Sequence, residues 1–524
     1  MPQRTHPREK SITLSVPRIT AAPMSEMARE RNIFLPVFQD VPLTQEEFFP
    51  FLPHELQKQL AVFAEHAFHG DEGEVKTLWI GTATYERIVL FGLGTKEHFS
   101  VRKFPIVARR MVQYARRERI VSFATPLLIH SEFSIAEAAM TSAANALMAH
   151  FEYVKYKEAP KQGWPSIEKI ILGIDEKKKA VRHEATEGIA AGIIIGEETN
   201  ACRDLANTPG SDMTPTHLAA AATATARRTG MTVKILNKRA MEKLGMGGVL
   251  GVARGSDEEP KFIILEYRHG QRNKEKNKNE SQKPLVLAGK GVTFDTGGLN
   301  IKPDAHMYEM HMDMSGGAAV IFGMAAIARQ KLPVTVIGLI PAVENMPSGS
   351  SYRPGDLLKA LNGKIIEVLN TDAEGRVILA DALAYAARYS PGLLVDFATL
   401  TGAAHVALGH YASAIFTNRD ELIPLFMEIG QRSGDAVWPL PLWDEYLADI
   451  KGTFGDLTNT GKHDRYGGAI HGAKFLEQFA GTARFAHIDI APRMTTVESD
   501  CLAKGASGVG VRFIVELAKR YPNL

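Results

Sequence analysis

The chain has very few cysteines and almost no net charge for its length. Cys202 and Cys501 are the only cysteines among 524 residues, too few for a disulfide framework, and they suit a reducing compartment. The 61 basic and 59 acidic side chains nearly cancel, to a formal charge of +2. That balance disfavours a protein whose whole surface binds nucleic acid or membrane. No apolar run reaches the roughly 18 residues of a membrane helix, so we expect a cytoplasmic protein without a membrane partner.

What the sequence does contain is an alternation of short apolar runs with longer helical patterns. Hydrophobic residues make up 45% and charged residues 23%, which is the composition of a globular protein. The first third predicts a smaller N-terminal α/β domain, residues 1–177, that serves oligomer contacts or accessory binding. Residues 178–524 begin with a long linking helix and predict a larger, doubly wound α/β catalytic domain with a mixed central sheet. Its strands are predicted at 232–236, 262–267, 285–288, 334–340, 365–369 and 393–398, and its helices at 216–229, 316–330 and 377–389.

Two segments fall outside this alternation. Residues 1–20 carry four basic side chains and one acidic one, as targeting segments do, but no apolar core follows. We expect a loose or strand-forming start there, with a targeting role as the alternative. Residues 268–284 are rich in Lys, Asn, Glu and Gln and predict a solvated loop between two strands.

A glycine-rich stretch at residues 289–298 is the first candidate for chemistry. A loop of this kind after a strand suggests phosphate binding, but the Walker pattern fails because Pro284 replaces its first glycine and Gly291 follows the lysine. The glycines instead permit a tight backbone path. We expect this path to direct Lys290 and Asp295 toward a common centre.

A second polar cluster, residues 370–376, follows another predicted strand. Alone, Asp372 or Glu374 is more often a cap or turn residue. Together with Asp295 and Asp313, however, they all lie at strand-to-helix junctions, where an α/β sheet builds its site. Four converging carboxylates require cations, and two bridged divalent ions would neutralise them.

These segments resemble the signatures of the leucyl aminopeptidase family, also called cytosol aminopeptidases. Residues 370–376 match its most specific motif letter for letter, and four further blocks occur in the family's order at 205–209, 245–248, 344–347 and 352–356. The resemblance implies a tighter metal site made of Asp295, Asp372 and Glu374. It implies an exchangeable second site made of Lys290, Asp295, Asp313 and Glu374. A set without histidine is expected to accept Zn or Mn, with Mg or Co as alternatives.

The resemblance also implies a mechanism. A water bridging two cations attacks the peptide carbonyl, while the free α-amine of the substrate occupies the more labile metal. Lys302 stabilises the oxyanion, and Arg376 holds a bicarbonate ion that shuttles the proton. The alternative for both side chains is an ion pair that only neutralises the carboxylates.

The pocket for the substrate side chain is implied by position alone. Its five predicted residues are Met310, Thr399, Gly402, Ala491 and Met494. A methionine-lined apolar slot prefers Leu or Met, although each of these residues is equally typical of ordinary core. Pro492 and Arg493 depart from the family pattern and leave the exact side-chain preference open.

Partners follow from the resemblance too. It implies a homohexamer that admits short peptides with a free N-terminus. Six arginines between residues 102 and 119 raise the alternative that the N-terminal domain is a DNA-binding regulator. Their spacing among apolar residues favours a solvated helix face or subunit contacts. A dinuclear phosphoesterase is the competing enzyme class, and the lysine and the complete 370–376 motif weigh against it.

Overall fold

The structure is a computed structural model, and it describes residues 15–175, 179–270, 283–462 and 466–524. Most of residues 1–20 and of the polar segment 268–284 therefore lie outside the described residues. The chain divides into two compact units. The first comprises the residues up to Glu197 together with Val497–Lys504, and the second comprises Glu198–Thr496 and Gly505–Leu524.

Among the described residues, the first unit contains a six-stranded sheet in the order β1-β6-β5-β2-β4-β3. Neighbouring strands are parallel except at the edge, where β3 is antiparallel to β4. Its strands are β1 (Arg18–Pro23), β2 (Asn32–Val37), β3 (Val75–Trp79), β4 (Arg87–Gly92), β5 (Ser122–Pro126) and β6 (Lys169–Ile174). The inner strands β2 and β4 are buried throughout, as their unbroken apolar runs predict.

Helices cover this sheet on both faces. They are α1 (Met24–Met27), α2 (His54–Ala67), α3 (Phe104–Arg117) and α4 (Ile135–His150). Ser134 caps α4 through a reciprocal pair of hydrogen bonds with Glu137, which explains why the alanine-rich helix begins there. Helices α3 and α4 pack against each other over a core that includes Phe34, stacked on Phe123 at 4.3 Å.

Helix α5 (Lys179–Ala206) follows, and the division between the units falls within it. The predicted boundary at residue 177 precedes this helix. Gly188 and Gly192 face α4 so closely that a Cβ on either would lie 2.1 Å from the carbonyl oxygen of Ala136 or 2.3 Å from that of Met140. The glycines therefore let two helix backbones meet and do not interrupt the helix.

The described part of the second unit contains a nine-stranded mixed sheet. Its order is β16-β15-β18-β14-β9-β11-β8-β7, and β10 also pairs with β11. Its strands are β7 (Thr232–Leu236), β8 (Lys261–Arg268), β9 (Leu285–Gly289), β10 (Gly291–Asp295), β11 (Thr335–Asn345), β14 (Leu393–Ala398), β15 (Ser413–Thr417), β16 (Val437–Pro439) and β18 (Phe485–Asp489). A separate small sheet consists of β12 (Leu357–Lys359), β13 (Ile365–Glu367) and β17 (Leu457–Thr458).

Helices accompany these strands along the second unit. They are α6 (Pro215–Thr229), α7 (Lys238–Leu244), α8 (Gly247–Val252), α9 (Asp304–Met307), α10 (Ser315–Gln330), α11 (Glu374–Ala386), α12 (Gly402–Leu408), α13 (Ile423–Ser433), α14 (Gly468–Glu477) and α15 (Val511–Arg520). One stretch of the described residues, Asp304–Gln330, is long and apolar enough to cross a membrane, but 89% of its most apolar window is buried. It contains α10, which serves as a core helix. The α/β architecture with a mixed catalytic sheet is confirmed.

Two local predictions need correction. The glycine-rich segment is a loop only after Asp295, because β9 ends at Gly289 and β10 begins at Gly291, directly after Lys290, and pairs with β11. Gly289 serves close packing, since a Cβ there would lie 2.6 Å from the carbonyl oxygen of Gly316, whereas Gly297 and Gly298 have the positive φ of a tight turn. The predicted helix at 377–389 begins earlier, at Glu374, so Arg376 lies inside its first turn.

Candidate metal centre

The candidate centre lies where the strands of the central sheet end and the helices begin. Lys290 separates β9 from β10, and Asp295 ends β10. Asp313 precedes α10, while Asp372 and Glu374 lie at the start of α11. Because β9, β10, β11 and β14 are parallel, their carboxyl ends share one edge of the sheet. The four acidic side chains, called the carboxylate cluster below, meet at this edge.

Lys290 is joined to two members of the cluster. Its Nζ lies 2.8 Å from Asp313 and 2.8 Å from Oε1 of Glu374, and it donates to the carbonyl oxygen of Thr399 at 3.0 Å. Burial alone would lower the pKa of Lys290, but Asp313, Glu374 and Asp295 outweigh burial and raise it. In the absence of a cation, the ammonium form of Lys290 therefore offsets part of the negative charge of these carboxylates. A cation that takes Lys290 as a ligand must displace its proton.

Lys302 is joined to the other two members. Its Nζ lies 2.8 Å from Oδ2 of Asp295 and is also paired with Asp372. Burial opposes the charged form of Lys302, but the pKa is raised because the carboxylates around it favour that form. Each of the four predicted carboxylates is therefore ion-paired with one of the two lysines.

The cluster has the properties of a site for divalent cations. Carboxylate oxygens of Asp295, Asp372 and Glu374 lie within 4.8 Å of one another. Burial is the largest cause of the raised pKa of Asp372 and of Asp313, and neighbouring carboxylates add to it, so the ionised forms lack compensation. Within the described residues, Oε2 of Glu374 is buried without a hydrogen-bond partner. An oxygen-rich, under-neutralised set of this kind fits Mn, Zn, Mg or Co.

Three residues that support the carboxylates had no role assigned from the sequence. Asn345 lies opposite Asp295 in the β10–β11 register and donates to its Oδ1 at 2.8 Å and to the carbonyl oxygen of Thr371 at 3.0 Å. Thr371 in turn donates to the carbonyl oxygen of Gly297 at 2.6 Å. Asn459, the third, bonds the segment that carries Asp372. The position of Asn345 at a strand end was the one feature of the sequence that could have indicated this supporting role.

Arg376 is buried in the first turn of α11. Burial lowers its pKa to about 10. Its Nε is buried and lacks a hydrogen-bond partner within the described part of the chain. A Cβ on Gly472 would lie 3.4 Å from Nη2 of Arg376, so this glycine leaves room for the guanidinium. An unsatisfied, buried cationic donor at a helix start suits a small anion.

The predicted pocket residues lie in four places along the chain. Thr399 follows β14 and donates to Oδ1 of Asp313 at 2.6 Å. Gly402 begins α12, which packs against the turn that contains Ala491. Met310 lies in the turn before Asp313 and Met494 follows the turn Ala491–Arg493.

Arg493, which departs from the family pattern, forms a hydrogen bond with the backbone. Its guanidinium donates to the carbonyl oxygen of His410, beyond the end of α12. Pro492 is buried at the preceding position. The contacts of Thr399 connect the predicted pocket to the cluster, whereas the pocket role of the five residues stays a prediction.

The arginine-rich segment of the first unit is largely engaged within that unit. Arg109 is 4% exposed and donates to Asn145 and to the carbonyl oxygen of Asp500. Three further arginines are also engaged: Arg116 with Glu152, Arg117 with Glu118, and Arg119 with the carbonyl oxygens of Gln162 and Gly163. These contacts favour a structural role for the segment.

Comparisons with known proteins agree with this geometry. Residues 200–515 match the model of the cytosol aminopeptidase family, catalytic domain, and residues 34–160 match the model of the N-terminal domain of that family. A probable cytosol aminopeptidase of Geobacter sp. (strain M21) is 39% identical over 458 residues, covering 86% of this chain and 90% of the relative. One from Azoarcus sp. (strain BH72) is 44% identical over 365 residues, covering 68% and 70%.

Solved structures resemble the whole chain. A mutant of tomato leucine aminopeptidase superposes with a TM-score of 0.84 at 28% identity, covering 98% of both chains. The bottromycin maturation enzyme BotP in complex with Mn superposes with a TM-score of 0.79 at 28% identity, covering 93% of this chain and 99% of that one. The similarity therefore extends over both the sequence and the fold.

Proposed function

The chain belongs to the cytosol aminopeptidase family and is a metal-dependent aminopeptidase, and we propose that the carboxylate cluster is where it removes the N-terminal residue of short peptides. The observation that carries the proposal is the convergence of four carboxylates and two lysines at one sheet edge, with Oε2 of Glu374 unpaired within the described residues. Such a cluster is costly to bury unless cations occupy it.

Two sets of residues would hold two divalent ions. The tighter site would consist of Asp295, Asp372 and Glu374. The exchangeable site would consist of Lys290, Asp295, Asp313 and Glu374. When bound, the ions would polarise the peptide carbonyl and acidify a shared water. Mn is present in the BotP structure, and we propose Mn or Zn for this chain, with Mg or Co as substitutes.

Lys302 and Arg376 have two different proposed roles near the reacting carbonyl. Lys302 lies beside Asp295 and Asp372, so its ammonium group can hydrogen-bond the oxygen on which negative charge develops. Arg376, with its unsatisfied Nε, would hold a bicarbonate ion, and a proton from the attacking water would pass to that ion. Both roles depend on buried positive charge near the cluster.

The finer features of the function are also proposals. We propose that Met310, Thr399, Gly402, Ala491 and Met494 line a slot that prefers Leu or Met side chains. We further propose a cytoplasmic homohexamer with the first unit, residues 1–177 in the predicted division, in its contacts. The internal bonds of Arg109, Arg116 and Arg119 leave these guanidinium groups less available to DNA.

Metal removal tests the proposal. Chelation should abolish hydrolysis of a leucyl amide, and Mn or Zn should restore it, while a phosphate ester should stay intact under all conditions. Leu and Met amides should be cleaved faster than Asp or Lys amides. Full activity after verified metal removal, or preferential hydrolysis of the phosphate ester, would refute the assignment.

A further inference from the structure

Asn459 is a fully buried amide whose side chain is entirely engaged by the segment that carries Asp372. Its Oδ1 accepts the backbone N–H groups of Leu369 at 2.8 Å and of Asn370 at 3.3 Å. Its Nδ2 donates to the carbonyl oxygen of Asn370 at 2.6 Å, with a longer contact of 3.5 Å to that of Ala373. One side chain therefore makes four backbone contacts across five consecutive residues.

The small sheet explains why Asn459 is placed there. Strand β17 pairs in parallel with β13, with Thr458 opposite Glu367, and the N–H of Asn459 donates to the carbonyl oxygen of Glu367 at 3.1 Å. Beyond this point β13 has ended, and the side-chain amide of Asn459 replaces the backbone pairing that a longer strand would supply. The amide therefore extends the sheet as far as the start of α11.

The residues that Asn459 contacts lie directly beside two of the proposed metal ligands. Asp372 lies between Asn370 and Ala373, and Glu374 directly follows Ala373 as the first residue of α11. Residues 368–373 lie in neither a helix nor a strand. Hydrogen bonds from other parts of the unit, such as those of Asn459, therefore hold their backbone. A substitution at Asn459 therefore removes contacts to the backbone from which both carboxylates project.

We propose that Asn459 is a positioning residue that sets the metal affinity of the cluster by holding Asp372 and Glu374 in place. The inference rests on the proposed function, since it concerns the same site. Partners beyond the ligands themselves commonly change metal affinity 10- to 100-fold when they are removed. Asn459 differs from such partners in that it orients the backbone of the ligands and leaves their carboxylate oxygens free for the ions.

Two substitutions test the amide, one by removing its donor and the other by shortening the side chain. Asn459→Asp keeps an oxygen for the N–H groups of Leu369 and Asn370, but places a second oxygen against the carbonyl groups and adds negative charge. Asn459→Ser retains a short hydroxyl that can replace at most one of the four contacts. We expect Mn affinity to fall about 10-fold for Asn459→Ser and more for Asn459→Asp.

Asn418 supplies a matched control in the same unit. Its Oδ1 accepts the N–H of Phe485 at 2.8 Å and its Nδ2 donates to the carbonyl oxygen of Ala483 at 3.2 Å, so it too joins the backbones of two strand ends. Asn418→Asp imposes the same chemical change away from the proposed ligands. It should lower the melting temperature of the metal-free protein without changing Mn affinity.

The experiment starts from the full-length protein after a chelator has removed its metal and has itself been removed. This protein is titrated with Mn, and binding is measured by calorimetry and by the electron paramagnetic resonance signal of free Mn. Circular dichroism verifies that each variant is folded. Weaker Mn binding by folded Asn459→Asp or Asn459→Ser, but not by Asn418→Asp, supports the inference. Wild-type affinity in a folded Asn459 variant overturns it and leaves the proposed function intact. A wild-type protein that binds no Mn, Zn, Mg or Co overturns both. Should Asn459→Asp not fold, Asn459→Ser decides alone.

Discussion

Lys302 offers the sharpest test of how the cluster works, because its two possible roles predict different results. One role is to neutralise the carboxylates, and the other is to stabilise an oxyanion. Its side chain is 14% exposed and its Nζ is paired with Asp295 and Asp372. The substitution Lys302→Met keeps the length and the apolar stem but removes the charge. In the metal-free protein, this leaves the buried carboxylate of Asp295 and the 32% exposed carboxylate of Asp372 without their lysine partner.

The expected magnitudes differ between the metal-free and the metal-bound protein. Removing one partner of a buried ion pair costs about 3–5 kcal/mol. At about 2 °C per kcal/mol for a unit of this size, the metal-free variant should melt about 6 °C or more below the wild type. Added Mn should remove most of this difference, since the ions supply the missing positive charge. The kcat should nevertheless stay about 100- to 1000-fold low, the usual loss for an oxyanion donor.

Thermal melting with and without Mn, and kcat on leucyl amide at saturating Mn, measure the two effects separately. Lys474→Met is the control, because Lys474 is 1% exposed and also pairs with two carboxylates, Asp444 and Glu477. It should lose stability in both conditions and keep its kcat. A Mn-saturated Lys302→Met enzyme with a kcat within about fivefold of the wild type would refute the oxyanion role.

Two further predictions concern packing and pH. Gly316→Ala would place a Cβ 2.0 Å from the carbonyl oxygen of Phe397, so we expect the free energy of unfolding, measured with denaturant, to fall by at least about 1–3 kcal/mol. Gly349→Ala is the control and should not change stability, because the space around Gly349 is open. Equal stability of the two variants would contradict the packing argument. Burial lowers the pKa of His150 to about 4, and its Nε2 lies 3.0 Å from the N–H of Ile167, which it accepts as the neutral ring. Because the unfolded chain binds this proton near pH 6.5, stability should fall as the pH drops from 6.5 to 4, and His150→Gln should flatten that decline in melting temperature.

Local patterns in the sequence were sufficient for much of the architecture. The apolar run of β14 was predicted at the same bounds, Leu393–Ala398, and α10 was predicted within one residue of its start. β14 is buried along its whole length and α10 is buried from Ser315 to Ala328, and continuous apolar runs of this kind are readable from neighbouring residues alone. The early start of α11 was missed because Glu374 was counted only as a candidate ligand.

Glycine positions show where local patterns are insufficient. The sequence around Lys290 indicates a loop by composition, yet Gly289 and Gly291 lie within paired strands. These glycines allow the backbones of Gly316 and Pro341 to approach closely, and this is evident only when α10 and β11 are packed against them. Composition records which residues are small but not which backbone approaches them.

The sequence by itself was sufficient to predict a cation-binding centre, because four carboxylates that converge at strand-to-helix junctions require compensating cations. Only the tertiary structure decided how these groups are held. Asn345 meets Asp295 across 50 positions of the chain, and Asn459 meets Asn370 across 89. Such contacts depend on the order of strands in the sheets, and strand order follows from the packing of the whole unit, which no short stretch of residues encodes.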